Sequence, residues 1–106
     1  MSALQRQFDD LADALRQLIA LLDEADERFW VPYLKRGLRQ VEENRLSGAT
    51  FVLGCYGGED TFSDLVIGGD WQSTDRLKFQ NLNRRLEHLR TRVFDAADAI
   101  TSRRAW

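Results

Sequence analysis

Leu4, Phe8, Leu11, Leu15, Leu18 and Leu22 recur at alternating steps of four and three residues, and Asp9, Asp10, Asp13, Arg16 and Gln17 fill positions between them. That rhythm lines the apolar side chains along one side of an α-helix and turns the polar ones to water. It predicts a long amphipathic helix whose seam is widened by Ile19. A second seam, Phe79, Leu82, Leu86, Leu89, Val93, Ala96 and Ile100, predicts another long helix in the last third of the chain. Ser73 or Thr74 is placed to cap its N-terminus, and Asp75 suits the positive end of the helix dipole. Trp30, Leu34, Leu38, Val41 and Arg45 share a face of a third helix, expected at about residues 30 to 46 and ended by Ser47-Gly48. Pro32 fits that helix only in its first turn, where no backbone N–H is needed.

From Gly48 to Trp71 the helical period is lost. Five of the seven glycines lie in this segment between Gly54 and Gly69, where they signal turns. Thr61 and Asp64 stand in capping-box spacing ahead of Leu65, Val66 and Ile67, so a short helix is expected there; a short strand is the competing expectation. The apolar content of the segment predicts that it packs on the helices. Seams with 3–4 spacing favour shallow-angle packing, and two of them separated by a turn-rich segment favour a bundle within one chain over an intermolecular coiled coil. The expected fold is therefore all-α: a small bundle of three main helices with the Gly-rich central segment packed on it. At 106 residues it is expected to form one domain, residues 1–106.

With 43% apolar and 30% charged residues, the composition is that of a folded globular chain. A single cysteine, Cys55, rules out an internal disulfide and any thiolate cluster. Met1 to Arg6 lead straight into the charged amphipathic pattern, without the apolar stretch or cleavage site of a signal peptide. No apolar run approaches the roughly 20 residues that span a bilayer. A cytoplasmic protein without a membrane partner is expected.

The net charge of −2 conceals an uneven distribution. Residues 1–45 carry 7 Lys/Arg against 9 Asp/Glu, residues 46–75 carry 5 acids and no base, and residues 76–106 carry 8 bases against 3 acids. Either the acidic centre neutralises the basic last helix within the fold, or each faces a partner.

Candidate chemistry is sparse. His88, the only histidine, lies off the seam among Arg84, Arg85, Glu87 and Arg92, which reads as a surface residue. Cys55 lies in an apolar context and reads as a small core residue. Paired Glu-x-x-His motifs for a di-metal site are lacking, and Asp9 with Asp13 reads as a solvated acidic face. One histidine and one cysteine do not make a zinc site. The glycines from Gly54 to Gly58 could suggest a phosphate loop, but Glu59 and Asp60 follow directly and no base is near. No enzyme, metal or cofactor is expected. The basic residues of the last stretch, Arg76, Lys78, Arg84, Arg85, Arg90, Arg92, Arg103 and Arg104, spread around the helix, so nucleic acid is the least favoured partner. What remains is the central segment. Tyr56, Phe62 and Trp71 offer aromatic area and Glu59, Asp60, Asp64 and Asp70 surround it with negative charge, the makings of a protein-binding surface. The simpler reading is that Phe62, Leu65, Val66 and Trp71 only cover the end of the bundle.

The stretch from Tyr56 through Gly57, Gly58, Glu59, Asp60, Thr61, Phe62, Ser63 and Asp64 to Leu65 and Val66 resembles the signature of an uncharacterised family of small bacterial proteins. Its members have a helical N-terminal half, a motif close to Tyr-Gly-Gly-Met-Gly-Ser-Phe-Asn-Asp-Leu, and a C-terminal helix. This chain has Glu59-Asp60 where the motif has Met-Gly, and Ser63 where it has Asn. The resemblance implies an immunity-type protein whose partner is a cognate toxin, the C-terminal domain of a secreted effector, neutralised in the cytosol. Occlusion would be the mechanism, with the acidic, aromatic segment covering a basic active-site cleft. The alternatives are a self-associating helical regulator or adaptor, dimerising through its seams, and a nucleic-acid-binding regulator using the last helix.

Overall fold

The Ser2 hydroxyl accepts the N–H of Gln5 at 3.0 Å and so caps α1, Ala3–Glu24. The computed structural model describes residues 2–57 and 62–102. Beyond α1 they form α2 (Val31–Glu42), α3 (Leu46–Gly54) and α4 (Arg76–Ser102), with single 3-10 turns at Phe62–Asp64 and Gly69–Trp71. No strand occurs among the described residues. The all-α expectation holds, but the described residues form four α-helices where three main helices were expected.

The extra helix comes from how α2 stops. Asn44 adopts a left-handed φ of 58°, Arg45 N–H donates to Gln40 O at 3.0 Å, and Asn44 N–H donates to Val41 O at 2.9 Å. This is a Schellman closure with asparagine in the place usually held by glycine. Asp26, also at φ 58°, closes α1 in the same way, with Glu27 N–H on Leu22 O at 2.9 Å and Asp26 N–H on Asp23 O at 3.1 Å. Ser47 and Gly48 therefore do not end α2; they lie in the first turn of α3. Gly48 is there because α2 and α3 nearly touch. A Cβ on Gly48 would meet the backbone N of Val41 at 2.7 Å, and one on Gly37 would meet Val52 Cγ2 at 2.7 Å.

α1 packs against α4 and α2, and α3 packs against α2 and α4. Leu11, Leu15, Leu18 and Leu22 of the first seam are fully buried, as are Val93 and Ala97 of the second, with Leu82, Leu86 and Ile100 nearly so. Leu4 stays exposed, and Ala97 is buried more deeply than the expected Ala96. Because both seams are used up inside one chain, no apolar stripe is left for an intermolecular coiled coil along them. At the start of α4 the cap is Asp75, whose Oδ1 accepts Lys78 N–H at 3.1 Å; Thr74 instead donates its hydroxyl to Asp70 O.

The short helix expected from Thr61 is reduced to the single turn Phe62–Asp64, and Thr61 itself lies outside the described residues. Side chains of α4 take the place of regular structure here. Asn83 accepts Ile67 N–H at 2.9 Å and donates to Ile67 O at 2.8 Å. The Arg90 guanidinium donates to Phe62 O at 3.0 Å and to Leu65 O at 3.1 Å. With backbone groups of Phe62, Leu65 and Ile67 satisfied from α4 and short local turns closing others, the segment from Phe62 to Asp75 forms a strap clamped to that helix.

Candidate partner-binding site

Phe62 is 0% exposed. Its ring meets Trp30 edge-on at 5.6 Å and Tyr56 at 5.5 Å, and its backbone N–H donates to Cys55 O at 3.1 Å. The expectation that Phe62 presents its ring to a partner is thus corrected: it is the core residue that roots the strap. Tyr56 is half-buried, donates its hydroxyl to Arg90 O at 2.7 Å and packs edge-on against Phe94. Desolvation raises its hydroxyl far above the ordinary phenol range, so it remains a neutral donor. Trp71 is half-buried, and the Lys78 ammonium lies 3.7 Å from its ring centre, a close cation–π contact. Glu59 and Asp60 lie outside the described residues.

Asp64 and Asp70 are both exposed, and neither carboxylate has a hydrogen bond or ion pair among the described residues. The ion pairs lie elsewhere: Arg16–Glu42 at 2.7 Å, Arg28–Asp26 at 2.7 Å, Arg45–Glu43 at 3.0 Å, Arg85–Glu24 at 3.1 Å and Arg92–Asp13 at 3.0 Å. Of the basic residues of α4, Arg85 and Arg92 are thus engaged with α1 carboxylates, Arg90 with strap carbonyls and Lys78 with the Trp71 ring. None of these contacts uses a strap carboxylate. Of the two readings of the acidic centre, internal neutralisation is not realised among the described residues, and the Asp64 and Asp70 carboxylates face outward.

Two apolar side chains stand out along the same stretch: Val66 at 62% exposure and Leu77 at 67%. Val66 is a cover for the bundle end only on the simpler reading of the sequence, and its exposure does not fit that reading. The available signal for Leu77 was its position off the seam at the start of α4. A second surface was missed altogether. Phe29, 64% exposed, forms with Trp30 and Tyr33 a cluster of rings 5.3 to 5.7 Å apart at the turn into α2. Both Phe29 and Tyr33 lie off the Trp30–Leu34–Leu38 face, which was the signal for it.

Elsewhere the groups considered for chemistry are quiet. Cys55 is buried, desolvation raises its thiol, and its Sγ donates to Phe51 O at 3.6 Å. His88 is exposed. Asp13 accepts from Arg92 and Gln17, and the Arg92 hydrogen bond holds its carboxyl below the ordinary value. Among the described residues no group of three or more His, Cys, Asp or Glu side chains is arranged to hold a metal ion, and no helix is long and apolar enough to cross a membrane. No family model matches the chain, and neither does any curated protein or solved structure.

Proposed function

We propose that this chain is an immunity-type binding protein that neutralises a cognate bacterial toxin in the cytosol by covering its active site with the strap. The observation that carries this reading is the pair of unneutralised, exposed carboxylates, Asp64 and Asp70, on a backbone held in place by Asn83 and Arg90. Surface acids without internal partners steer association with a basic cleft and reject acidic surfaces. Val66 and the accessible part of Trp71 on the strap, with Leu77 at the start of α4, supply exposed apolar area. Since the strap is already ordered, little conformational freedom is lost on docking. Glu59 and Asp60 add to the negative charge of the same stretch of sequence, and the Tyr-Gly-Gly-x-x-Thr-Phe-x-Asp-Leu resemblance points to the same class of protein. A self-associating regulator is less well supported, because its seams are buried within the chain.

The test is co-expression with the C-terminal toxin domain of a secreted protein encoded beside this chain, scored by growth and then by co-purification. Rescue with a stable complex is expected, and Asp64→Lys with Asp70→Lys should abolish it while the variant still folds. A toxic neighbour that the wild-type chain neither rescues nor binds would refute the immunity reading. Rescue that survives the double reversal would remove the strap from the mechanism.

A further inference from the structure

On the side of α4 that meets α1, the two helices run antiparallel and are bridged at two levels, Arg92 to Asp13 at 3.0 Å and Arg85 to Glu24 at 3.1 Å. Asp13 and Glu24 are separated along α1 by about 16 Å, at 1.5 Å per residue. Between the bridges α1 presents Gln17 and the methyl group of Ala20. The gap is an open groove of about 580 Å³, lined by Gln17, Ala20, Arg84, Arg85, His88 and Leu89. That volume lies in the range of small-molecule sites, about 300–1,000 Å³. Leu89 and Ala20 make the apolar part of its lining. Arg84 and His88, one helical turn apart, supply its polar wall.

The electrostatics of this groove are one-sided. Among the described residues no carboxylate lines it. Arg85 is engaged by Glu24, but Arg84 and His88 have no ion-pair partner among the described residues. The ion pairs limit what can lie in the groove. Arg85 also lines the neighbouring cavity, where Glu24 joins it, so their bridge divides the two spaces. A through-going peptide helix, about 10 Å across, would have to break that bridge.

We propose that this groove binds a small organic anion, its carboxylate or phosphate held between Arg84 and His88 and its short apolar body laid on Ala20 and Leu89. Arg84 supplies the planar donor fork suited to either anion, and His88 donates a second hydrogen bond from the next turn. The Gln17 amide is anchored to Asp13 through its Nε2, at 2.9 Å, which leaves its carbonyl oxygen to accept from a ligand hydroxyl or amide. The inference does not depend on the strap or on toxin binding.

The probe is octanoate, titrated into isotope-labelled protein and followed by amide chemical shifts. Acetate serves as the anion without a body, and 1-octanol as the body without an anion. Octanoate should shift the Ala20, His88 and Leu89 amides saturably, with acetate and octanol each at least about tenfold weaker. Arg84→Ala with His88→Ala should weaken octanoate at least about tenfold without moving the unfolding midpoint, and Ala20→Leu should fill the groove and abolish binding. A phosphate head is checked with octyl phosphate, expected to shift the same amides. Absence of saturation with both octanoate and octyl phosphate, shifts centred away from the groove, octanol or acetate binding as tightly as octanoate, or an undiminished double variant would each overturn the proposal. Charge reversal at Asp64 and Asp70 should leave octanoate binding unchanged, which separates this test from that of the strap.

Discussion

The two flanks of α4 use polar side chains in opposite ways. Toward α1, Arg85 and Arg92 meet carboxylates, Glu24 and Asp13, and these contacts are charge against charge in water. Toward the strap, Asn83 and Arg90 meet backbone groups of Phe62, Leu65 and Ile67, while the nearby acids Asp64 and Asp70 go unpaired. Exposed ion pairs contribute little to stability, whereas half-buried hydrogen bonds to backbone groups leave costly vacancies when broken. The first flank is held mainly by the leucine seam, with its charges cancelled. The second is held by polar clamps and one aromatic root, with its charge kept for the outside.

Phe62→Ala tests the root and should have the largest effect. Removing a fully buried ring that touches Trp30 and Tyr56 should destabilise the chain by about 3–5 kcal/mol in denaturant unfolding. A loss under about 1 kcal/mol would mean that the strap is only laid on the surface. Asn83→Ala tests the clamp. It strips both partners from the Ile67 backbone, and the expected loss is about 1–3 kcal/mol, with faster hydrogen exchange at the Ile67 amide while amides of α1 stay protected. Uniformly faster exchange across the molecule would show that the strap and bundle do not open separately. Asp75→Ala, which removes the cap where strap becomes helix, should cost about 1 kcal/mol, measured by thermal unfolding. Smallest is the effect of Arg92→Ala on the opposite flank. The Asp13 carboxyl is held below its ordinary value chiefly by the Arg92 hydrogen bond. Its contribution is therefore present above the ordinary carboxylate pKa and is lost as pH falls through the lower folded value. The variant should match wild type at acid pH and fall slightly below it near neutrality. A larger gap in acid than at neutral pH would contradict that sign.

The same contrast explains what could be read from the chain. α1 and α4 were legible because their seams are long and each position is decided by its own neighbours in sequence. α3 was not, because Gly48 carries the usual mark of a helix end, while the real stop was made by Asn44 in a conformation that asparagine adopts less often than glycine. Gly48 serves a contact with Val41, which sequence spacing does not show. Asp75 suits the dipole by its charge and is also the cap; Ser73 and Thr74 stand two residues and one residue too early. At the candidate site the acidity of the centre was plain from composition. The inward turn of Phe62 was not, since an aromatic residue looks the same in sequence whether it roots a strap or anchors a partner. Trp30, which helps to bury it, comes from another part of the chain. The Asn83 and Arg90 clamps share this origin: both are ordinary polar positions on a helix until the strap is laid beside them.

The outward charge of the strap is most directly tested by the rate at which this chain associates, at low ionic strength, with the toxin domain proposed as its partner. With Asp64→Lys and Asp70→Lys, association should slow at least about tenfold and lose much of its salt dependence, with the unfolding midpoint unchanged. An association rate and salt dependence equal to wild type would contradict the account, and would move the binding surface away from the strap.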